Sequence, residues 1–592
     1  MALSLALAVL ALAQTPRTAA ADKAEAGGSL FDEYWEELLV LQPDRALSQG
    51  DYRHPGRFDR SLESDWHKAM LALVDTYQAR LQAVDAEELS DGEQISYDFL
   101  AWRLQQDRRF YGSDLFARAR MLPLDQFRGQ HIRFAESAAG SGTYPFQTRD
   151  HYEQALVRAE GFARWVDQAI LRLEEGVQAG VVLPRMVVDR ILPQLTIHLG
   201  KGPRETQFWT PLDSLPATID DAAAADLRQR HEASIAGVIQ PAYQRLHDYL
   251  QDSYLQHARA TVGLVALPGG RELYQHYVRT HTTTDMQAEE VHRLGRAEVS
   301  RIMDGFRALQ AELGIEGDVQ ALFEHARNDP ALYYADDERD QIVPDFNARR
   351  DDIYGLLPKM FDLMPKAAYE IRALPDSSRS LQGNGYFQAA AADGSRPGIL
   401  WINIHSPGIT SRFNLTTLSV HEGLPGHHFQ TAIAREVENV PAFRRFESTT
   451  AFGEGWALYA ESLARDLGLL EDPWQRYGYL NYEMMRANRL VIDTGIHALG
   501  WSVEDGVRWM LDHSSLSEAE ARAEVERYAS YPGQALAYKI GELKIQELRA
   551  RAEQQLGDDF DLREFHRTVL LAGSVPMAVL ENVVERWLAR QA

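Results

Sequence analysis

The sequence predicts a mainly α-helical protein with one small β-sheet. Most of the 592-residue chain carries apolar side chains three or four positions apart with charged side chains between them, which is the spacing of amphipathic helices. The clearest of these segments are 59–108, 151–178, 223–261 and 286–313. A short apolar and β-branched run at 398–404, preceded by a weaker one at 386–391, predicts the sheet.

The composition is that of a folded globular protein and excludes several kinds of site. Hydrophobic residues make up 45% of the chain, which excludes wholesale disorder. The absence of cysteine excludes a disulfide scaffold, a cysteine nucleophile, an iron–sulfur cluster, a thiolate zinc site and a lipid-anchored N-terminal cysteine. The formal net charge of −25 argues against nucleic acid as a partner, because an acidic surface repels phosphate groups and we find no basic patch.

The N-terminus predicts export. Residues 2–13 form an apolar run with the length of a signal-peptide core, too short to span a bilayer. Alanine-rich cleavage sites follow at 11–13 and 19–21, although no basic residue precedes the run. We expect residues 1–21 to be a signal peptide, with a frayed tail as the alternative. The mature protein would then be periplasmic or secreted and would not span a membrane.

Two lobes are expected after the signal peptide. An N-terminal helical lobe would cover 30–280 and a catalytic lobe 281–592, with one compound domain as the alternative, since no sharp change in composition marks the boundary. Glycine, proline and serine predict loops at 140–142, 199–203, 266–270, 377–385 and 392–397. Nothing in the sequence indicates the oligomeric state.

Residues 416–436 contain the most informative motif. His421 and Glu422 are followed by Gly-Leu-Pro-Gly and then by His427 and His428. In the zincin motif H-E-x-x-H, two histidines one helical turn apart bind one zinc ion, and the glutamate accepts a proton from the attacking water. Here the fourth position after His421 is Pro425, which cannot bind a metal. The strict motif is therefore absent.

Two geometries would still bring a second histidine to His421. On a straight helix His428 would share its face but lie about 10.5 Å along the axis, too far away for one zinc ion. If the Pro-Gly pair loops out instead, His427 takes the place of the second histidine. We prefer His427 as the ligand and keep His428 as the reserve candidate. If His428 is not a ligand, we expect it to lie beside the ligands.

A third ligand is expected from a helix at 452–470. Glu454 and Glu461 are seven residues apart and share a helical face that is otherwise apolar. A carboxylate on such a face needs a partner, and a metal ion is a natural one. We predict Glu454 as the third ligand and Glu461 as the carboxylate that orients a ligand histidine. Two solvated glutamates are the alternative.

Four motifs together resemble one bacterial family. In chain order they are HEGLPGHH, EGWALYAE, RLVIDTGIHALGW and YPGQALAYKIG, and they are similar to the proteins called domain-of-unknown-function 885 from about residue 30 to the C-terminus. Members of that family resemble helical zinc peptidases of the zincin superfamily. The resemblance implies a zincin-like clamshell with the small sheet beside the active-site helix, and it implies little about the substrate.

A predicted helix at 482–501 carries a polar stripe. Its members are Arg486, Arg489, Asp493 and His497. We expect the arginines to grip the C-terminal carboxylate of a peptide. His497, charged through its pairing with Asp493, would stabilise the oxyanion of the reaction. Salt bridges within the fold and a structural Asp–His pair are the alternatives.

Two further segments supply candidate residues. In 531–541, Tyr538 is predicted to donate a second hydrogen bond to the oxyanion, with a core tyrosine as the alternative, and Lys539 to bind the substrate carboxylate. The strand at 398–404 is expected to accept the substrate main chain as an added strand, with Asn403 near the cleft.

Together these residues predict a zinc metallopeptidase that acts on short peptides. One Zn²⁺ ion per chain would be bound by His421, His427 and Glu454, with Glu422 as the general base. The arginines make carboxypeptidase or dipeptidase action a hypothesis. Two alternatives stay open: a periplasmic binding or scaffold protein of the same fold without turnover, and a zinc hydrolase of a non-peptide amide.

Overall fold

The computed structural model describes residues 19–375, 385–390, 396–405 and 410–591, except for the side chains of 19–29. Most of the predicted signal peptide, and most of the loops predicted at 377–385 and 392–397, lie outside these residues. The described chain is mainly helical with a small three-stranded sheet, so this part of the predicted fold class is confirmed.

The helices that precede the sheet are α1 Ala19–Leu41, α2 Pro43–Ser48, α3 Ser64–Gln82, α4 Asp91–Tyr111, α5 Asp114–Ala119, α6 Gln130–Ala138, α7 Arg149–Ala179, α8 Arg185–Thr196, α9 Thr210–Asp213, α10 Asp221–Ser234, α11 Gln240–Asp248, α12 Gly270–Thr282, α13 Ala288–Leu313, α14 Val319–Asn328 and α15 Ile342–Leu356. The predicted helix at 59–108 is two helices, because Ser90 and Glu93 form a capping box that starts α4. The helix predicted at 223–261 consists of α10 and α11, each followed directly by a π-helical stretch. These stretches are Ile235–Ile239 and Tyr249–Tyr254.

The sheet and the remaining helices follow. They are β1 Tyr369–Ala373, β2 Gly385–Gln388, β3 Gly398–Ile402, α16 Leu415–Glu422, α17 His427–Glu436, α18 Ala442–Phe446, α19 Thr450–Asp466, α20 Pro473–His497, α21 Val503–Asp512, α22 Glu518–Ser530, α23 Ala537–Leu556, α24 Leu562–Ala572 and α25 Met577–Gln591.

The sheet has the strand order β1-β3-β2. β1 pairs parallel to β3, and β2 pairs antiparallel to it, so that Leu400 lies between Ile371 and Phe387. The strand predicted at 398–404 is therefore central, and both of its edges already carry main-chain hydrogen bonds. The prediction that it accepts a substrate strand is wrong, and β2 lies at the edge of the sheet instead.

The largest hydrophobic core joins the two ends of the chain. Side chains of α1, α3 and α4 pack in one cluster with those of α17, α19 and α23 to α25, and Trp35 and Trp456 are among its fully buried members. An ionic link reinforces this contact, because Glu447 accepts hydrogen bonds from Arg45 and, over 2.6 Å, from Arg103. This core contains residues from both sides of the lobe boundary predicted near residue 280. The boundary itself stays a prediction.

Helices α19 and α23 cross in close contact at two glycines. A Cβ atom on Gly541 would lie 1.9 Å from the carbonyl oxygen of Ala451, and one on Gly455 would lie 2.5 Å from Cα of Gly541. Only glycine allows the two backbones to approach this closely. The crossing places Glu454, next to Gly455, near Tyr538 on α23, which acts to lower the pKa of Glu454.

Candidate metal centre

The Pro-Gly pair interrupts the helix that carries the sequence motif. α16 ends before residues 423–426 and α17 begins after them. The turn between them is tight, since a Cβ atom on Gly426 would lie 2.0 Å from the carbonyl oxygen of His421. The indole Nε1 of Trp456 donates a hydrogen bond to the carbonyl oxygen of Pro425 over 2.8 Å and so anchors the turn to α19.

This turn brings His427 beside His421. The centroids of the two rings are 4.7 Å apart. Oε2 of Glu454 lies 3.3 Å from Nε2 of His427 and 3.8 Å from Nε2 of His421. One ligand atom from each side chain lies within 4.8 Å of the other two. The structure therefore brings together the three residues that the sequence analysis names as ligands.

His428 points away from this group. Its ring stacks on Tyr369 of β1 with a centroid separation of 4.6 Å and lies 5.9 Å from the ring of Phe387 in β2. Consecutive residues of a helix point about 100° apart, so His427 and His428 cannot both face one site. His428 packs against the sheet, and its prediction as a reserve ligand or as a neighbour of the ligands is wrong.

Glu461 lies directly behind His421. Nδ1 of His421 donates a hydrogen bond to Oε1 of Glu461 over 2.7 Å, and both side chains are buried. This bond fixes the orientation of the imidazole and leaves Nε2 facing Glu454. Nη2 of Arg486 lies 3.7 Å from the same Oε1 atom. Burial raises the pKa of Glu461 to about 7, although the positive charge of Arg486 acts in the opposite direction.

Burial and neighbouring charges shift the pKa of each group. Burial lowers the pKa of His421, and the positive charges of His427 and Arg486 lower it further. Burial also acts to lower the pKa of His427, but the Glu454 carboxylate outweighs it and raises this pKa to about 9. Burial acts to raise the pKa of Glu454, whereas the pairing with His427 brings it down to about 2. Glu454 is therefore held as a carboxylate, the form that binds a metal ion.

These side chains form part of the wall of a cavity of about 490 Å³, which Glu422 also lines. Burial raises the pKa of Glu422 to about 7, although the positive charge of His427 acts in the opposite direction. Tyr386 and Phe387 of β2 belong to the same wall. Neither residue is among the predicted site residues, although the weak strand pattern at 386–391 contains both.

Three more predicted site residues line this cavity. They are Arg486, Arg489 and Tyr538. The hydroxyl of Tyr538 accepts a hydrogen bond from Nε2 of Gln534 over 3.4 Å and acts to lower the pKa of Glu454. The guanidinium carbon of Arg489 lies 4.4 Å from the centroid of the Tyr538 ring. Both arginines are buried, yet Nε of Arg486 and Nη1 of Arg489 have no hydrogen-bond partner among the described residues. Both nitrogens are themselves buried, so each arginine contributes its positive charge to the cavity wall through its other atoms.

His497 and Asp493 do not reach the cavity. Nδ1 of His497 accepts a hydrogen bond from the backbone N–H of Leu264 over 3.3 Å, and its Nε2 donates to the carbonyl oxygen of Tyr528 over 3.0 Å. Asp493 accepts a hydrogen bond from the hydroxyl of Tyr274 over 2.6 Å instead of pairing with His497. Burial lowers the pKa of His497 to about 3, so its ring is neutral. The predicted Asp493–His497 pair and its role at the oxyanion are wrong.

Packing explains why Asp493 and His497 do not reach the cavity. α20 runs along α13 and α22, which enclose its C-terminal half. Only the N-terminal part of the polar stripe, with Arg486 and Arg489, therefore opens onto the cavity.

Lys539 and Asn403 also lie away from the cavity. Nζ of Lys539 is buried and lies 2.8 Å from carboxylate oxygens of both Glu483 and Glu542. Asn403 is buried after the end of β3, and its Oδ1 accepts a hydrogen bond from the backbone N–H of His405 over 3.0 Å. Lys539 thus neutralises carboxylates within the fold and Asn403 stabilises a turn, so the substrate-binding roles predicted for both are wrong.

Comparisons with known proteins give one family and one fold. A family model described as "Bacterial protein of unknown function (DUF885)" matches residues 43–584. No curated protein matches the chain significantly.

Two solved structures share the fold over nearly the whole chain. One, from Colwellia psychrerythraea and described as a putative lipoprotein, has 26% sequence identity and a TM-score of 0.87, and the match covers 96% of this chain and 99% of that one. The other is described as a putative lipoprotein of unknown function from Shewanella oneidensis. It has 18% identity and a TM-score of 0.71 with the same coverage, and it shows the fold alone. None of the helices in the described chain is long and apolar enough to cross a membrane.

Proposed function

This chain belongs to the DUF885 family, and we propose that it is a zinc-dependent metallopeptidase that cleaves short peptides. The observation that supports this proposal best is the convergence of His421, His427 and Glu454 in the wall of a cavity that Glu422 also lines. A metal site and an adjacent carboxylate that can accept a proton are the two parts that metal-assisted hydrolysis requires.

The three side chains suit Zn²⁺. Two histidines and one glutamate form a donor set of catalytic zinc sites, which keep a fourth position for water or substrate. Nδ1 of His421 is committed to Glu461, so its Nε2 is the nitrogen that remains for a metal. When bound, the ion would polarise the scissile carbonyl group and lower the pKa of a water molecule.

Glu422 and Tyr538 would act on the reacting groups. Glu422 would accept a proton from the attacking water and pass it to the amine that leaves. Tyr538 would donate its hydroxyl proton in a hydrogen bond to the oxyanion, since the hydroxyl lies beside Glu454 and such a bond strengthens as negative charge develops on the substrate oxygen.

Arg486 and Arg489 would bind a carboxylate of the substrate. Both residues line the cavity, and a guanidinium binds a carboxylate through charge-assisted hydrogen bonds that are stronger than neutral ones. The C-terminal carboxylate of a short peptide is such an anion. This favours carboxypeptidase or dipeptidase action.

Metal content and peptide cleavage together test the proposal. Tag-free wild-type protein should contain about one zinc ion per chain by plasma mass spectrometry, and His421→Ala and Glu454→Gln should lose it. Glu422→Gln should keep the zinc and fail to cleave a short-peptide library. Glu547→Gln, at an exposed position on α23, is the matched control and should keep both zinc and cleavage.

Each other result has a defined meaning. Wild-type protein without zinc, even after dialysis against it, contradicts the metal centre. Zinc without cleavage of any peptide contradicts the peptidase, and a screen of non-peptide amides then separates an amide hydrolase from a binding protein. If Arg486→Ala and Arg489→Ala cleave free and amidated peptides at unchanged relative rates, the arginines do not bind the C-terminal carboxylate.

A further inference from the structure

A second cavity, of about 350 Å³, also reaches the metal centre. His427, Thr431 and Glu454 belong to its wall as well as to the wall of the first cavity. The rest of its wall comes mainly from α17, α18 and the start of α19. A peptide bound at the metal centre therefore has two distinct spaces to occupy.

Positive charge dominates this second cavity. Three arginines line it, namely Arg435, Arg444 and Arg445. Apart from Glu454, the described residues of its wall include one carboxylate, that of Glu447. Both oxygens of Glu447 are already bonded, one to Arg45 and the other to Arg103 over 2.6 Å. Glu447 is therefore committed to two arginines outside the cavity wall and does not pair with the three that line it.

The three arginines differ in what they already contact. Arg444 is buried and donates hydrogen bonds to backbone carbonyl oxygens. Arg435 donates to the carbonyl oxygen of Ala390, and burial together with a neighbouring guanidinium lowers its pKa. Arg445 is exposed, no acidic side chain of the described chain pairs with it, and its guanidinium carbon lies 5.8 Å from the ring centroid of Phe446. Arg445 is thus the cation that is available to an external anion.

We propose that the second cavity is a subsite for an acidic side chain, so that the preferred substrates are acidic short peptides. This rests on the proposed peptidase function. An aspartate or glutamate side chain of the substrate would accept hydrogen bonds from Arg445 in a bidentate pair, while the scissile bond lies at His427 and Glu454. Arg435 and Arg444 add to the positive potential of the same space, and among the described residues of its wall the two carboxylates, Glu447 and Glu454, are both already paired.

The net charge of the chain makes this local charge informative. At −25 the protein as a whole repels an acidic peptide, so binding must depend on a local region of opposite sign. Both cavities at the metal centre have arginines in their walls. The subsite would therefore distinguish one peptide from another by its side chain. Arg486 and Arg489 in the other cavity would bind the C-terminal carboxylate, which every free peptide has.

Binding to Glu422→Gln protein loaded with Zn²⁺ tests the subsite without turnover. The probes are end-blocked hexapeptides in which a single Glu is moved along an otherwise neutral chain, each paired with a twin that has Gln at that position. At the position that fills the subsite, we expect the Glu peptide to bind about 10-fold tighter than its twin at low salt. The ratio should shrink as salt is added, because salt screens an exposed arginine.

Charge reversal identifies the residue responsible. Arg445→Glu should abolish the preference for Glu and favour Lys at the same peptide position, whereas Arg445→Lys should retain part of the original preference. Arg508→Glu, at an exposed position on α21 outside both cavities, is the matched control and should leave the ratio unchanged. In active protein, Arg445→Glu should raise KM for the Glu peptide with little change in kcat.

The results separate this proposal from the proposed function. Equal binding of Glu and Gln twins at every position, or a preference that survives Arg445→Glu, overturns the subsite. Preferential binding of acidic peptides that wild-type protein never cleaves supports the subsite and contradicts the peptidase. Cleavage without any acidic preference supports the peptidase and overturns the subsite.

Discussion

Nδ1 of His421 lies 2.7 Å from Oε1 of Glu461, so a histidine on α16 is held by a carboxylate on α19. Two turns earlier on α19, Oε2 of Glu454 lies 3.8 Å from Nε2 of the same imidazole. One helix therefore contacts both nitrogens of His421, because residues seven apart share a helical face. The orientation of a proposed metal ligand thus depends on the packing of α19 against α16.

Replacing Glu461 by Gln should weaken zinc binding about 10- to 100-fold. The carboxyl group of Glu461 orients the imidazole of His421 and makes it more basic, and an amide does this less well. Competition with a chelator measures the affinity, and circular dichroism checks that the helices are retained. Glu454→Gln, which removes a proposed ligand, should have a larger effect. Wild-type zinc affinity in Glu461→Gln would mean that this hydrogen bond does not tune the site.

Tyr538→Phe should lower kcat for peptide cleavage about 100-fold and leave zinc content unchanged. The phenyl ring keeps the contact with Arg489, whereas the donor proposed for the oxyanion is lost. Steady-state kinetics on one peptide measure kcat and KM separately. A higher KM with an unchanged kcat would instead assign Tyr538 to substrate binding.

Gly541→Ala should destabilise the protein by about 1–3 kcal/mol, because its methyl group would overlap the backbone of Ala451 at the α19–α23 crossing. Urea unfolding measures the change. Gly453→Ala on α19 is the matched control, because its added Cβ would meet nothing within 4 Å. We expect it to be neutral or about 0.5–1 kcal/mol more stable, as alanine is favoured over glycine in a helix. Equal effects of the two substitutions would contradict a close crossing at Gly541.

The free energy of unfolding should fall between pH 7.5 and pH 5. Burial lowers the folded-state pKa of His497 to about 3, compared with about 6.5 in an unfolded chain. In this interval the unfolded chain binds a proton that the folded protein does not, so stability present above about pH 6.5 is lost as the pH falls towards 3. His497 alone should account for about 2 kcal/mol at pH 5.

Urea unfolding at several pH values measures this contribution. His497→Gln should be less stable than wild type at pH 7.5 but should lose less stability on acidification. His54→Gln, at an exposed position, should keep the wild-type pH dependence. Parallel curves for His497→Gln and wild type would show that His497 is not buried in the neutral form.

Features that depend on neighbours in sequence were predictable. Amphipathic spacing predicted helices such as Arg149–Ala179 and Ala288–Leu313 within a few residues, because periodicity is a local property of the chain. Proline and glycine at 425–426 predicted the break after Glu422 for the same reason, since they disfavour continued helix whatever surrounds them. The seven-residue spacing placed Glu454 and Glu461 on one face before any fold was known.

The tertiary structure alone decided what each face meets. Arg486 and His497 belong to one stripe on α20, yet the first lines the cavity and the second is buried against Leu264 and Tyr528. The strand at 398–402 became central because β1 and β2 pair with its two edges. A sequence pattern indicates which face of its own helix or strand a side chain lies on. Which residues that face contacts depends on other elements of the fold.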